Sequence, residues 1–187
     1  MSERSESKKK LIFDCARKLF SERGYRDVTM SDVVESAGIS RGGLYLYYTG
    51  TEDLFRDVIK EEMESHVYPD AGSGSPAEVL AVFLRNCKKR ILKKSGSLER
   101  ALYEYSFAGS GREEYLKKEF DEGVSFLTGV IEMGMETGEF TSSDPGGDAL
   151  NIMYILEGMR IKAQTSGIRS ADVDSEIMHM ISRLASS

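Results

Sequence analysis

The chain is poor in the residues that interrupt helices or build reactive centres: three prolines, two cysteines and two histidines in 187 residues. Two of the prolines, Pro76 and Pro145, stand where helices begin, so little interrupts helical order elsewhere. Cys15 and Cys87 lie in helix-like stretches with no CxxC and no histidine beside them, which speaks against a disulfide framework or a zinc site. They read as reduced thiols. His66 and His179 have no triad-like or metal-ligand neighbours, and GxGxxG and P-loop patterns are missing. These absences argue against an enzyme and imply no cofactor and no metal. No apolar stretch approaches the ~20 residues that span a bilayer. The opening "MSERSESKKKLIF" has no apolar core of a secretory signal, so a cytoplasmic protein is expected. Basic charge is in deficit as well. With 25 Lys and Arg against 31 Asp and Glu, the net charge is −6, which excludes a surface coated for nucleic acid but leaves room for local patches.

What is present is helical periodicity. Alternating strand patterns are confined to short, weak stretches, and the fold class is all-α with about nine helices. The first runs from about Ser7 to Arg23 on Ile12, Ala16, Leu19 and Phe20, and stops at Gly24. The second starts at Thr29, where Thr29 and Asp32 resemble a capping box, and closes at Gly38. Ser40 caps a third helix to about Tyr47, and Thr51 caps a fourth with Glu52 and Asp53 in its first turn. "PDAGSGS", 69–75, is the one linker-like stretch. Beyond it Ser75-Pro76-Ala77-Glu78 opens a fifth helix to about Lys94. Three more run from about Ser97 to Ala108, from Glu113 to Thr137, and from Asp144-Pro145 onward; Ser170 begins a ninth. The domains expected are 1–50 as an N-terminal head, 51–68 as a connecting helix and 69–187 as a C-terminal domain.

The segment "SRGGLYLYYTGTEDLF", residues 40–55, carries the functional signal. Two short helices joined by the Gly38-Ile39 turn make a helix-turn-helix, whose second helix enters the DNA major groove. Gly42 and Gly43 remove side-chain bulk where that helix would approach DNA, and leave backbone N–H groups for a phosphate. Leu44 and Tyr48, four apart, share a face and belong to a small core. Tyr45 and Tyr47 lie off that face, free to contact DNA. Arg41 is the one long cation here, suited to guanine O6 and N7 or to a phosphate.

At these residues the chain resembles the TetR/AcrR family of bacterial transcription regulators. "ARKLFSERGYRDVTM" and "TMSDVVESAGISRGGLYLYYTGTEDLF" carry the likeness, which covers about residues 8–60. The resemblance implies a three-helix DNA-binding head and a larger helical domain that binds an inducer and forms a homodimer. It places Ser40, Arg41, Gly42, Gly43, Tyr45 and Tyr47 on the DNA-contacting helix, and Thr29 and Ser31 at the start of the preceding one, against phosphate. Where members often carry a phosphate-contacting lysine this chain has Thr51, which retains a hydroxyl or an amide for that contact. The function implied is a regulator, a repressor rather than an activator, released from a near-palindromic operator by a small molecule. The competing reading is a helical dimeric interaction or ligand-binding protein without sequence-specific DNA binding. Residues 1–48 carry a net +2 and the remainder −8, a weak electrostatic footprint for DNA. Lys8, Lys9 and Lys10 are either an additional phosphate-contacting arm or a solvated helix start.

The C-terminal domain reads as a helical bundle. Its eighth helix, "ALNIMYILEGM", is apolar on nearly every side and must be covered, in part by a second subunit. Ile152, Leu156, Met159, Ile177, Ile181 and Leu184 are candidates for that dimer interface, and Gly158 would allow close helix approach. Phe83, Tyr103, Phe107, Phe126, Met153 and Tyr154 are candidate pocket residues for the inducer. Each has core packing as its simpler explanation. Glu157 interrupts the apolar helix. It is a contact for a cationic ligand, or the partner of an internal Arg or Tyr, or exposed.

Overall fold

A computed structural model describes residues 3–64, 67–72 and 74–185. His66 and Ser73, the latter inside the linker-like stretch, lie outside them. Among the described residues there are nine helices: α1 (Glu3–Arg23), α2 (Met30–Ala37), α3 (Arg41–Tyr45), α4 (Thr51–Glu64), α5 (Pro76–Ile91), α6 (Glu99–Ser106), α7 (Glu114–Thr137), α8 (Pro145–Thr165) and α9 (Ser170–Leu184). They divide into two compact units. The first comprises residues 1–66 and 94–114, the second 67–93 and 115–187.

In the first unit α1 packs on α2, α4 and α6, and α2 on α3. The periodic residues of α1, Ile12, Ala16, Leu19 and Phe20, are buried, as are Leu54, Phe55, Val58 and Ile59 of α4. α1 begins at Glu3, about a turn earlier than its apolar spacing suggests, because polar residues add helix without adding a core signal. Its end is set by Gly24, at φ +86°, whose N–H donates to the Phe20 carbonyl at 2.9 Å. A Cβ there would also crowd the Glu104 carboxylate, so this side chain reaches the turn through the gap that the glycine leaves. Glu104 accepts the Arg26 backbone N–H at 3.1 Å and Arg100 Nε at 2.7 Å. Burial opposes its charge, but these bonds outweigh it and hold the carboxyl below its ordinary value.

α6 thus belongs with the helix-turn-helix head, outside the expected 1–50 segment. Its Tyr105 is fully buried and meets Phe55 and Tyr25 at ring-centre distances of 5.1 and 5.0 Å. Phe20 completes this aromatic cluster, edge-on to Phe55 at 4.8 Å. The Arg112 guanidinium lies 5.0 Å from the Tyr105 ring centre and donates to Glu52 at 2.6 Å. Arg56 Nε donates to the Tyr105 hydroxyl at 2.8 Å, and that hydroxyl in turn donates to Glu52 at 3.2 Å.

The second unit is a bundle of α5, α7, α8 and α9. α5 opens with the full capping box that its sequence announces: Ser75 Oγ accepts the Glu78 N–H, and Glu78 accepts the Ser75 N–H. α8 opens with Asp144 accepting the Gly147 N–H at 3.0 Å. The core is built from one face of each helix, including Leu80, Leu84, Leu127, Ile131, Leu156 and Val173, all 2% exposed or less. Behind α7 the chain turns at Gly138, φ +77°, and lays Phe140 directly on Gly134. Thr141 N–H then donates to the Leu184 carbonyl at 2.8 Å, which ties this turn to the end of α9.

A Cβ on Gly134 would overlap the Phe140 ring, whereas one on Gly129, a turn earlier, would meet nothing within 4 Å. Alanine raises helix propensity at both sites by about 1 kcal/mol. Overpacking against a buried ring costs about 1–3 kcal/mol. Gly134→Ala should therefore lower the urea midpoint and Gly129→Ala should raise it. A midpoint for Gly134→Ala at or above that of the parent chain would contradict this packing.

Candidate nucleic-acid interface

The site is assembled by local chemistry around two short helices. At the start of α2, Thr29 Oγ1 accepts the Asp32 N–H at 3.3 Å and Asp32 Oδ2 accepts the Thr29 N–H at 2.8 Å, closing the capping box. The Thr29 hydroxyl also donates to Asp32, and chiefly for that reason the Asp32 carboxyl sits below its ordinary value. α2 ends at Gly38 in the left-handed region, φ +62°, with Ile39 N–H returning to the Val34 carbonyl at 3.2 Å. Ser40 caps α3, its Oγ accepting the Gly43 N–H at 3.1 Å. That bond occupies one of the amides expected to be left for a phosphate. α3 is two residues shorter than its apolar pattern suggests. It gives way at Leu46, and Tyr47 and Tyr48 N–H both return to the Leu44 carbonyl.

The faces of α3 separate cleanly. Gly43, Leu44 and Tyr48 are buried against the head, while Arg41, Gly42, Tyr45 and Leu46 point to solvent. Tyr45 is 51% exposed, whereas Tyr47 is half-buried and its hydroxyl shares a hydrogen bond of 3.1 Å with Ser5 Oγ. Arg41 Nη2 donates to Ser31 Oγ at 2.8 Å, so the cation of α3 and the exposed hydroxyl of α2 form one polar unit. Thr29, Ser31 and Ser40 are exposed on the same helix-turn-helix, and Thr51 is half-buried as the first residue of α4. Asp53 of α4 reaches back to the Thr49 N–H at 2.9 Å, fixing the turn between α3 and α4. A Cβ on Gly42 would meet nothing within 4 Å, so the fold leaves this position open.

The three lysines at the start of α1 have different surroundings. Lys8 lies over α3: a Cβ on Gly43 would stand 2.9 Å from its Nζ. Lys9 pairs with Asp57 at 3.1 Å and sits 5.7 Å from the Tyr48 ring centre. Lys10 is exposed. Lys8 and Ser5 are therefore neighbours of α3 that the sequence pattern understated, since a polar helix start carries no periodic signal. Asp57 also accepts the Tyr48 hydroxyl at 2.7 Å. Burial works against the Asp57 charge, but the bonds from Tyr48 and Lys9 prevail and its carboxyl sits below the ordinary value. Burial, then this same bond, raises the Tyr48 phenol. A carboxyl lowered in the folded state stabilises the fold above its unfolded pKa and loses that contribution as pH falls through the folded value. The melting temperatures of the parent chain and of Asp57→Asn should thus differ at pH 6 and converge as pH falls below the ordinary carboxyl value of 3.8. A difference that persists unchanged to pH 2 would contradict it.

The remaining candidates are dispersed. Tyr103 and Phe107 lie in the first unit, and Phe107 is 78% exposed. Phe83, Phe126, Met153, Tyr154 and Glu157 lie in the second. There Phe83 and Phe126, 5.3 Å apart, group with Tyr68, a residue the sequence reading passed over. The Tyr68 phenol is pushed up to about 12, mainly by burial and next by the charge of Glu119. Met153 is buried over Gly123, and Tyr154 is 60% exposed beside Phe120. Glu157 is half-buried and pairs with Arg160 at 3.4 Å, the internal arginine among its possible partners. Of the dimer candidates, Ile152, Leu156, Met159 and Leu184 are at most 6% exposed and belong to the unit's own core. Ile177 and Ile181 are half-buried. No helix among the described residues is long and apolar enough to cross a membrane.

The sequence and the fold match known proteins. Residues 12–58 match the model of bacterial regulatory proteins of the tetR family. Over 149 residues the chain is 28% identical to the HTH-type transcriptional regulator YfiR of Bacillus subtilis strain 168, covering 76% of this chain and 73% of that one. Over 137 residues it is 26% identical to the HTH-type transcriptional repressor KstR2 of Rhodococcus jostii strain RHA1, covering 70% and 67%. A TetR-family regulator from Agrobacterium tumefaciens shares the fold, with a TM-score of 0.78 over 97% of this chain and all of that one, at 19% identity. Residues 12–58 thus carry the helix-turn-helix head of the tetR family of bacterial regulatory proteins, and the chain is a DNA-binding transcription regulator.

Proposed function

We propose that the protein is a dimeric repressor that sets one α3 helix into each of two major-groove segments of a near-palindromic operator and leaves it when a small molecule binds the second unit. The observation that carries this reading is the division of α3. Its inner residues hold the head, and its outer residues, Arg41, Gly42 and Tyr45 among them, are exposed to solvent. Arg41 supplies the bidentate donor for guanine or phosphate, Tyr45 an amphipathic ring for sugar and phosphate, and Gly42 the gap that lets the backbone approach. Thr29, Ser31, Ser40, Tyr47 and Thr51 frame this surface with hydroxyl groups, while the buried Gly43 spends its amide on the Ser40 cap. The repressor printed among the relatives supports the sign of regulation.

Dimerisation through α8 and α9 is supported by what these helices leave uncovered. Tyr154, Gly158 and Ile161 follow one another at helical spacing on the exposed face of α8, and Met178 is 59% exposed on α9. A Cβ on Gly158 would meet nothing within 4 Å in its own chain, so the glycine has no packing reason there. The inducer is proposed to lie beside Phe83, Phe126 and Met153.

Selection of bound duplexes from a random DNA library at near-physiological salt tests the reading. A two-fold symmetric consensus is expected. Folded, dimeric protein that enriches no sequence would overturn it in favour of an interaction protein.

A further inference from the structure

Leu46 is 81% exposed, at the end of a helix whose one other leucine, Leu44, is fully buried. Its backbone keeps helical angles, φ −69° and ψ −22°, so helical spacing carries through it. Two short stripes then run along the solvent face of α3. One joins Arg41 to Tyr45, and the other joins Gly42 to Leu46, each pair four residues apart. The second stripe has an uncommon composition: an open position with no Cβ, then a branched apolar side chain in water. A scattered exposed leucine is ordinary. One on the outward face of a recognition helix, beside the arginine and tyrosine best suited to DNA, needs an apolar partner on the DNA.

The major groove offers one apolar group, the C5-methyl of thymine. A leucine side chain has no hydrogen-bonding atom and cannot discriminate the other bases by donor and acceptor pattern. Phosphate offers its methyl groups no partner, and deoxyribose, the other apolar surface within reach, is the same at every base, so the thymine methyl is the one such group that carries sequence. The missing side chain at Gly42 lets the duplex come close at the helix start, and Leu46 then projects one turn further along the same stripe.

We propose that Leu46 reads thymine, packing against the C5-methyl of one base in each operator half-site. This rests on the α3 reading above and names one of its specificity determinants. The test uses the full chain and the operator it selects, with deoxyuridine placed for thymidine at one symmetric pair of positions at a time. That exchange removes the methyl and leaves every hydrogen-bonding group in place. At one pair the affinity of the parent protein should fall about fourfold per half-site, the worth of one buried methyl group. Leu46→Ala should bind the thymidine operator more weakly and show no response to deoxyuridine at that pair. Its melting temperature should match the parent, because the side chain is 81% exposed.

If no thymine pair distinguishes the parent from Leu46→Ala while operator binding is intact, the proposal is overturned and the DNA-binding reading stands. Equal loss in both proteins at one pair overturns it too, since another residue then reads that methyl. If the parent protein selects no operator, the reading of α3 itself fails, and this inference with it.

Discussion

Glu119→Ala should lower the unfolding free energy by about 3–5 kcal/mol, the cost of removing one member of a buried ion pair. Glu119 on α7 is 7% exposed and receives two arginines on one oxygen: Arg90 of α5 at 2.7 Å and Arg160 of α8 at 3.0 Å. Arg160 is itself 5% exposed, so its charge is held away from water on the strength of that carboxylate. Its second carboxylate, Glu157, is 3.4 Å away and more exposed, hence the weaker partner. Glu119→Gln keeps an acceptor oxygen and should cost less. Urea unfolding followed by circular dichroism measures both. A loss below about 1 kcal/mol for the alanine variant, the range of an exposed pair, would show that the cluster does not hold the three helices together.

The second large effect is on DNA. Arg41→Ala should weaken binding to the selected operator by about 1–3 kcal/mol, the range for one good bidentate base contact, while the melting temperature is unchanged. The arginine is exposed, so its removal leaves no buried group unsatisfied. Ser31→Ala, which removes the hydroxyl steering the Arg41 guanidinium at 2.8 Å, should give a smaller loss in the same direction. The sequence dependence separates the two roles open to Arg41. If it reads guanine, the variant relaxes the consensus at one position. If it grips phosphate, binding weakens uniformly and the salt slope falls by about 1. Unchanged affinity in both Arg41→Ala and Tyr47→Phe would refute the assignment of this face to DNA.

The parts of the fold that depend on neighbouring residues could be read directly from the chain. The Thr29–Asp32 box, the left-handed Gly38, the Ser40 cap, the Ser75–Glu78 box and Asp144-Pro145 are each settled within a few residues, and each stands where its chemistry requires. The inward position of Leu44 and Tyr48 followed from spacing alone. What escaped depends on distant partners. Nothing local to "ERALYEYS" says that it joins a helix-turn-helix head, because that rests on Glu104 meeting the turn after α1 and on Tyr105 entering the ring cluster. In α8 the apolar residues surround the helix, so composition could not choose the buried side. Ile152, Leu156 and Met159 turned inward, whereas Tyr154 and Ile161 remained outside. Leu46 was passed over for a related reason, since a leucine in a helical pattern reads as core until its exposure is known. Glu157 found its arginine three residues on, whereas the more deeply buried Glu119 gave no sign in a long helix full of solvated carboxylates.

The central claim is that the outer face of α3 enters the major groove at two symmetric places. Dimethyl sulfate probing of the selected operator tests it most directly, because the reagent methylates guanine N7 in the major groove and adenine N3 in the minor groove. The expected result is protection of guanine N7 in two patches related by two-fold symmetry, separated by about one helical turn or a multiple of it. Protection confined to adenine N3, or a single unsymmetrical patch, would contradict the account.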